Sequence, residues 1–190
     1  MNKKPKKRIF IAVDLPGEVK KSLYEQYAQI KDTNLKLVGR DNIHITLKFI
    51  GYTDEDQLVF IKKSLLEASK KIQCFYFKIS EHIASFPDSR RAKIVFLGIQ
   101  KGSENFIELF KAVEEELAKN SIKKENWPYA PHVTFSRAKK PFDISNLTKK
   151  IKIESLPDIF CNKISLFESV LKRNGPEYSI LNEYYLKNQK

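Results

Sequence analysis

What this chain can fold into is constrained most by two octets, NIHITLKF at residues 42–49 and APHVTFSR at residues 130–137. Side chains on a strand point to alternate faces, so a strict polar–apolar alternation specifies a half-buried strand. In the first octet Ile43, Ile45, Leu47 and Phe49 make one apolar row, and His44, Thr46 and Lys48 make the opposite row. In the second, Val133 and Phe135 oppose His132, Thr134 and Ser136. The chain must therefore bury one side of two strands and present imidazole plus hydroxyl on the other. It has three histidines, and two of them lie in this repeated His-x-Thr triplet.

Around these strands the hydrophobic period changes repeatedly. KRIFIAVDLP reads as a β-branched strand ended by Pro16-Gly17, after which Val19, Leu23, Tyr27 and Ile30 recur at helical spacing. A short extended piece covers residues 35–38, and Gly51 is expected to close the His44 strand. Thr53 followed by Asp54, Glu55 and Asp56 predicts a helix start, because carboxylates favour the positive end of the helix dipole. CFYFKIS and HIASF predict two further strands, PDSR a turn and AKIVFLGI another strand. Ser103 is expected to cap a third helix, with Phe106, Leu109, Phe110, Val113 and Leu117 as its buried stripe. KENWPYAP is a loop that delivers the second His-x-Thr strand, and a short helical piece follows near residues 144–151. The Asn-Gly pair in KRNGPE predicts a closing hairpin. Hairpins and crossovers mix, and no Gly-rich phosphate loop follows any strand. The class is α+β with largely antiparallel pairing, and each half carries a long helix near one His-x-Thr strand.

The 190 residues, 42% of them hydrophobic, suffice for one compact domain or two small lobes sharing an interface. No apolar run approaches the roughly 18 residues of a membrane span. Residues 1–7 read as a disordered basic tail ahead of a single domain over residues 8–190. The apolar stretch after the tail is too short for a secretory core, so a cytoplasmic protein is expected. Cys74 and Cys161 form no C-x-x-C; one disulfide stays open, and two reduced core thiols are the simpler reading. A net charge of +12 points to an anionic partner, nucleic acid first. Only six of the 35 basic residues are Arg, and a lysine excess also follows from codon bias, so charge alone decides nothing.

One His-x-Thr on a strand is unremarkable. Two copies, if their strands are neighbours across a cleft, bring four side chains to one point. Imidazole titrates near pH 6.5, so one ring can be neutral while the other is protonated. The neutral ring takes a proton from water and the protonated ring gives one to a leaving oxygen. Threonine hydroxyls donate to non-bridging phosphate oxygens. Three histidines without metal-ligand spacing argue against a metal, and this chemistry requires no cofactor.

The sequence resembles the 2H phosphoesterase superfamily, and within it the RNA 2′,3′-cyclic phosphodiesterases of the 2′-5′ RNA ligase family. RIFIAVDLP, NIHITLKFIG, FPDSRRAKIVFLGI, PHVTFSR and LFESVLKRNGPEYSIL carry the resemblance, in family order. It implies a bilobal fold of two pseudo-symmetric lobes, with antiparallel sheets facing a central cleft and helices outside. It implies a monomer acting on RNA or an oligonucleotide with a 2′,3′-cyclic phosphate end, which it opens to a 2′-phosphomonoester. His44 would be the proton donor, His132 the acceptor, and Thr46 and Thr134 the phosphate holders; joining of RNA ends by a 2′-5′ linkage is a secondary activity. The alternatives are a cyclic phosphodiesterase on a small nucleotide or 2′-5′ oligonucleotide, and a non-catalytic RNA-binding module. Further candidate substrate contacts are Lys48 and Ser136, on the histidine faces, and Arg90 and Arg91, after a turn. Arg137 ends the second motif but points away from His132 by alternation, so a phosphate role would need a bend there. Phe86 and Trp127 are candidates for stacking on a base or for core packing. His82, outside either motif, reads as structural or exposed.

Overall fold

Strand β1 (Lys7–Asp14) shows why the molecule is layered: it buries side chains on both faces. Ile9, Ile11 and Val13 join the main core, whereas Phe10 and Ala12 join a smaller cluster with Phe167. The computed structural model describes residues 6–30, 34–151, 153–173 and 175–188. After β1 come α1 (Gly17–Ala28), β2 (Leu35–Leu37), β3 (His44–Thr53), α2 (Glu55–Ser69), β4 (Phe75–Phe86), β5 (Ala92–Lys101) and α3 (Ser103–Ala118). β6 (His132–Phe142), α4 (Ser145–Lys150), β7 (Ile159–Cys161), β8 (Lys163–Lys172) and β9 (Gly175–Tyr185) complete the chain.

The strands form one antiparallel sheet in the order β7-β4-β5-β6-β3-β1-β8-β9, with β2 added on β6. Its symmetry can be read from the order. Outward from the centre run β3, β1 and β8 on one side, and β6, β5 and β4 on the other. The units β1-α1-β3 and β5-α3-β6 are each a strand, a helix and a His-x-Thr strand. The α+β architecture is as expected, with the two halves fused into one sheet through the pair Ile45↔Val133. The helices cover one face, inserting Leu23 and Tyr27 from α1, Ile61 and Leu65 from α2, and Phe106, Leu109 and Val113 from α3 into the core. The other face carries the histidines. Cys74 and Cys161 are buried and form no disulfide.

Local boundaries differ from expectation for identifiable reasons. Gly51 does not end β3. Phe10 pairs with Phe49 and Ile9 with Gly51, so Ile50 is an extra residue, and Gly51 takes φ 91° so that the strand continues to Thr53. CFYFKIS and HIASF belong to a single strand, β4, whose register slips between Ile79 and Ile83. Gly102, not Ser103, is the N-cap of α3. Its φ is 80°, and a Cβ there would meet the Tyr76 carbonyl oxygen at 2.8 Å. Asp54 caps α2, its carboxylate accepting from Gln57 N at 2.9 Å. The closing hairpin pairs Lys172 with Gly175; Asn174 of the Asn-Gly signal lies outside the described residues. So do residues 1–5 of the expected tail, whereas Lys7 opens β1.

Candidate active site

The centre of the sheet sets the geometry. β3 and β6 run antiparallel through Ile45↔Val133. One step either way along an antiparallel pair, Thr46 comes opposite His132 and His44 opposite Thr134. Ile45 and Val133 are fully buried, so the two histidines and two threonines share the opposite, cleft-facing side. The structure brings together the four residues of the sequence motifs.

Immediately beyond each threonine the strand bulges. Ala12 pairs with Thr46 and Ile11 with Lys48, which leaves Leu47 as an extra residue. Phe96 pairs with Thr134 and Val95 with Ser136, which leaves Phe135 as the extra residue in the other half. A bulge turns the following side chains by one position, so both strands reverse their alternation here. Lys48 and Ser136 therefore turn off the face of the histidine on their own strand, although Lys48 still borders the cavity against His132. Lys48 is 4% exposed, its Nζ 2.5 Å from Glu114 Oε1 and donating to Lys123 O at 2.9 Å. Ser136 is fully buried and donates to Lys36 O. Phe49 and Arg137 take their places in the cleft, so the bend that Arg137 required is present. Tyr129 donates to the Thr46 carbonyl at 2.9 Å, beside the first bulge.

The two imidazoles sit in matching settings. His44 Nδ1–H donates to Asn42 O and His132 Nδ1–H to Ala130 O, both at 2.7 Å. A carbonyl only accepts, so each neutral ring carries its proton on Nδ1 and offers Nε2 as a base. At His44, Nε2 accepts from the Thr46 hydroxyl at 2.9 Å. Each ring packs on a stacked phenylalanine pair: Phe10 with Phe167 at 4.9 Å for His44, and Phe96 with Phe86 at 4.3 Å for His132. Burial accordingly lowers both pKa values. His44 falls to about 4 by burial first, opposed by the Asn42 carbonyl and aided by repulsion from Lys20, Arg137 and His132. His132 is lowered by burial, opposed by the Ala130 carbonyl and aided by Arg137.

Two cavities meet at this point and share Thr46, Thr134, Phe49 and Arg137. One, about 250 Å³, lies against His44 and is bounded by Lys36, Asn42 and Tyr178. The other, about 390 Å³, lies against His132 and is bounded by Phe86, Trp127 and Tyr129. Sequence reasoning missed Lys36, Tyr178 and Phe49. Lys36 had a signal in the alternation of LKL and reaches the cleft because β2 pairs it with Arg137; Tyr178 had none. Arg90 and Arg91 line neither cavity. They sit in the β4–β5 turn, where both amides donate to Asp88 Oδ1 and Arg91 pairs with its carboxylate at 3.2 Å. His82 is exposed on β4, away from the motifs. Among the described residues no three His, Cys, Asp or Glu side chains gather to hold a metal, and no helix is long and apolar enough to cross a membrane.

Comparison with known proteins agrees with this architecture. Residues 19–166 match the model of the 2′-5′ RNA ligase superfamily. The RNA 2′,3′-cyclic phosphodiesterase of Methanocaldococcus jannaschii is 34% identical over 183 residues, which cover 93% of this chain and 99% of that protein. The crystal structure of TT0787 from Thermus thermophilus superposes with a TM-score of 0.80 over 96% of this chain and all of that one, at 22% identity. That of E. coli LigT complexed with 3′-AMP superposes at 0.77 over 95% of this chain and 98% of that one, at 21% identity.

Proposed function

The chain belongs to the 2′-5′ RNA ligase superfamily, and from that membership we propose that it hydrolyses the 2′,3′-cyclic phosphodiester at the end of RNA to a 2′-phosphomonoester. The single observation that carries the reading is the crossed register: each histidine stands opposite the other strand's threonine, across Ile45↔Val133. A tetrahedral phosphorus between the strands then meets a proton-transfer group on each side and a hydroxyl donor beside each.

The reaction follows from that arrangement. His132 takes a proton from water through Nε2 as the water oxygen attacks phosphorus. The bond from phosphorus to O3′ breaks in line, and His44, entering protonated, gives its proton to O3′. Thr46, Thr134 and Arg137 hold the non-bridging oxygens and offset the charge that builds on them. Burial first, and Arg137 to a lesser degree, lower His44; the negative charge of a bound phosphate opposes both and favours the protonated form its role requires. The same groups support a non-catalytic RNA-binding reading less well, because binding needs no pair of titratable rings.

The test is incubation with an oligoribonucleotide ending in a 2′,3′-cyclic phosphate, followed by end-group analysis. The expected product carries a 2′-phosphate and a free 3′-hydroxyl. No turnover, or a 3′-phosphate product, overturns the reading. Cyclic mononucleotides and 2′-5′ oligonucleotides assayed in parallel separate the alternative substrates by kcat/KM.

A further inference from the structure

The two halves of the sheet match at the histidines and differ one step away from them. Phe10 on β1 packs against His44 at 4.9 Å, and Phe96 on β5 packs against His132 at 4.8 Å. Two residues earlier, on the same face, β5 has Ile94, which borders the His132 cavity, whereas β1 has Arg8. In the hydrolysis described above the leaving O3′ belongs to the ribose, so the ribose lies on the side of the acid, His44. The rest of an RNA strand is attached to that ribose through its 5′ oxygen. The strand therefore leaves the cleft over the His44 half, the half that carries the arginine.

Register fixes what surrounds Arg8. Antiparallel partners share a face, and Arg8 pairs with Tyr52 on β3. On its other side Ile9 pairs with Glu168, which brings Arg8 opposite Ser169, and Ser169 pairs with Tyr178. A row of Tyr52, Arg8, Ser169 and Tyr178 thus crosses the cleft face beside Phe10. Arg8 donates from one Nη to Ser169 Oγ at 2.8 Å. Among the described residues no carboxylate pairs with it: Glu168 and Glu177 alternate to the opposite face and bind Lys7 at 2.6 Å and Lys172 at 2.5 Å. Burial raises the Tyr178 hydroxyl while Arg137 and Arg8 pull it back, so both guanidiniums lie near that oxygen. Tyr178 and Arg137 line the His44 cavity, and Arg8 stands at its edge. Tyr52, 65% exposed, offers its ring to solvent on the same face.

We propose that Arg8 and Tyr52 form an upstream subsite, in which Arg8 binds the phosphodiester that precedes the terminal nucleotide and Tyr52 stacks on the base of the penultimate one. This rests on the reading above, with His44 as donor. From Phe10 to Arg8 is two residues of strand, about 7 Å, the scale of one backbone repeat in an extended RNA strand. With the cyclic phosphate between the threonines and its ribose against His44, the preceding phosphodiester reaches the Arg8 guanidinium, whose planar fork suits two non-bridging oxygens. The base beyond that phosphate meets Tyr52. A tyrosine ring stacks on any base, so the subsite reads the presence of a preceding nucleotide and not its identity. A cyclic mononucleotide has neither group and gains nothing here. The row thus sets a preference for the end of an RNA chain over a free cyclic nucleotide.

The test compares adenosine 2′,3′-cyclic phosphate with the dinucleotide adenylyl-(3′-5′)-adenosine 2′,3′-cyclic phosphate. The unsubstituted protein should hydrolyse the dinucleotide with a kcat/KM roughly tenfold or more above that of the mononucleotide, since a charge-assisted bond and a stacked base each carry an effect of about that order. Arg8→Ala should remove most of this advantage, while the mononucleotide stays within about twofold. Tyr52→Ala should lower the dinucleotide alone by roughly fivefold or more, and Tyr52→Phe, which keeps a stacking face, should restore it. With the unsubstituted protein, a dinucleotide whose linking phosphate is a neutral methylphosphonate should lose most of the same advantage, which tests the charge without touching the fold. Equal kcat/KM for the dinucleotide and the mononucleotide, or an undiminished advantage with the methylphosphonate or in Arg8→Ala, overturns the subsite. Failure of the unsubstituted protein to hydrolyse either cyclic phosphate overturns the underlying reading instead.

Discussion

Replacing Lys48 by methionine separates the two places that this lysine could occupy. Alternation from His44 makes it a phosphate contact; the bulge at Leu47 instead puts its ammonium in a buried ion pair with Glu114, at the wall of the cavity against His132. There its side chain is 3% exposed and that of its partner Glu114 is 6% exposed. Removing one member of a buried pair leaves the other unmatched and costs about 3–5 kcal/mol. Glu114 keeps the bond from the Glu125 amide to its Oε2, which favours the lower end, about 3 kcal/mol. With a urea m-value of roughly 2 kcal/mol per molar for a chain of this size, the midpoint should fall by about 1.5 M. The double substitution Lys48→Met with Glu114→Leu replaces both charges by apolar groups and should recover most of the loss. Urea titration followed by far-UV circular dichroism measures both. Under conditions where Lys48→Met stays folded, kcat/KM on a cyclic-phosphate RNA should remain within about threefold of the parent. An unchanged midpoint together with a hundredfold loss of kcat/KM would refute the structural role of the buried pair and make Lys48 a phosphate contact.

Other outcomes follow from the same geometry. His44→Ala and His132→Ala should each lower turnover by about 10²–10⁴-fold, the usual contribution of acid–base catalysis, while His82→Ala retains parental rates. Equal losses in His82→Ala and His44→Ala would mean that the catalytic pair is misassigned. In the free protein both imidazoles are neutral above pH 6.5, since burial lowers His44 to about 4 and His132 below its usual value. Falling pH supplies the one proton that the pair needs, and still lower pH adds a second and removes the base. The profile of kcat/KM should therefore be a bell whose upper limb lies below pH 6.5 and belongs to the pair, with about a tenfold loss per unit above it. A plateau from pH 6.5 to 8.5 with chemistry rate-limiting would contradict this. Activity should survive EDTA; loss that a divalent ion restores would point to a mechanism for which the described residues offer no cluster of ligands. Arg137→Ala should reduce kcat/KM by roughly tenfold or more and Arg90→Ala should not, because only Arg137 lines the cleft.

Much of the molecule can be read from period and parity. Ile45 and Val133 face the core, and His44, Thr46, His132 and Thr134 face away from it, because alternation is a property of the strand alone. The three long helices follow from apolar spacing in the same local way. What the sequence by itself does not contain is the partner of each strand. Leu47 and Phe135 become bulged residues only because β1 and β5 each offer one residue where β3 and β6 offer two. That mismatch sends Lys48 and Ser136 into the core and carries Phe49 and Arg137 into the cleft. Arg90 and Arg91 looked equally available from their turn, but the turn lies away from the centre of the sheet. Lys36 and Arg137, about a hundred residues apart, come side by side through the pairing of β2 with β6. Alternation within a strand needs only local stereochemistry; register between strands depends on how distant segments close on one another, and that is decided when the two halves meet at Ile45 and Val133.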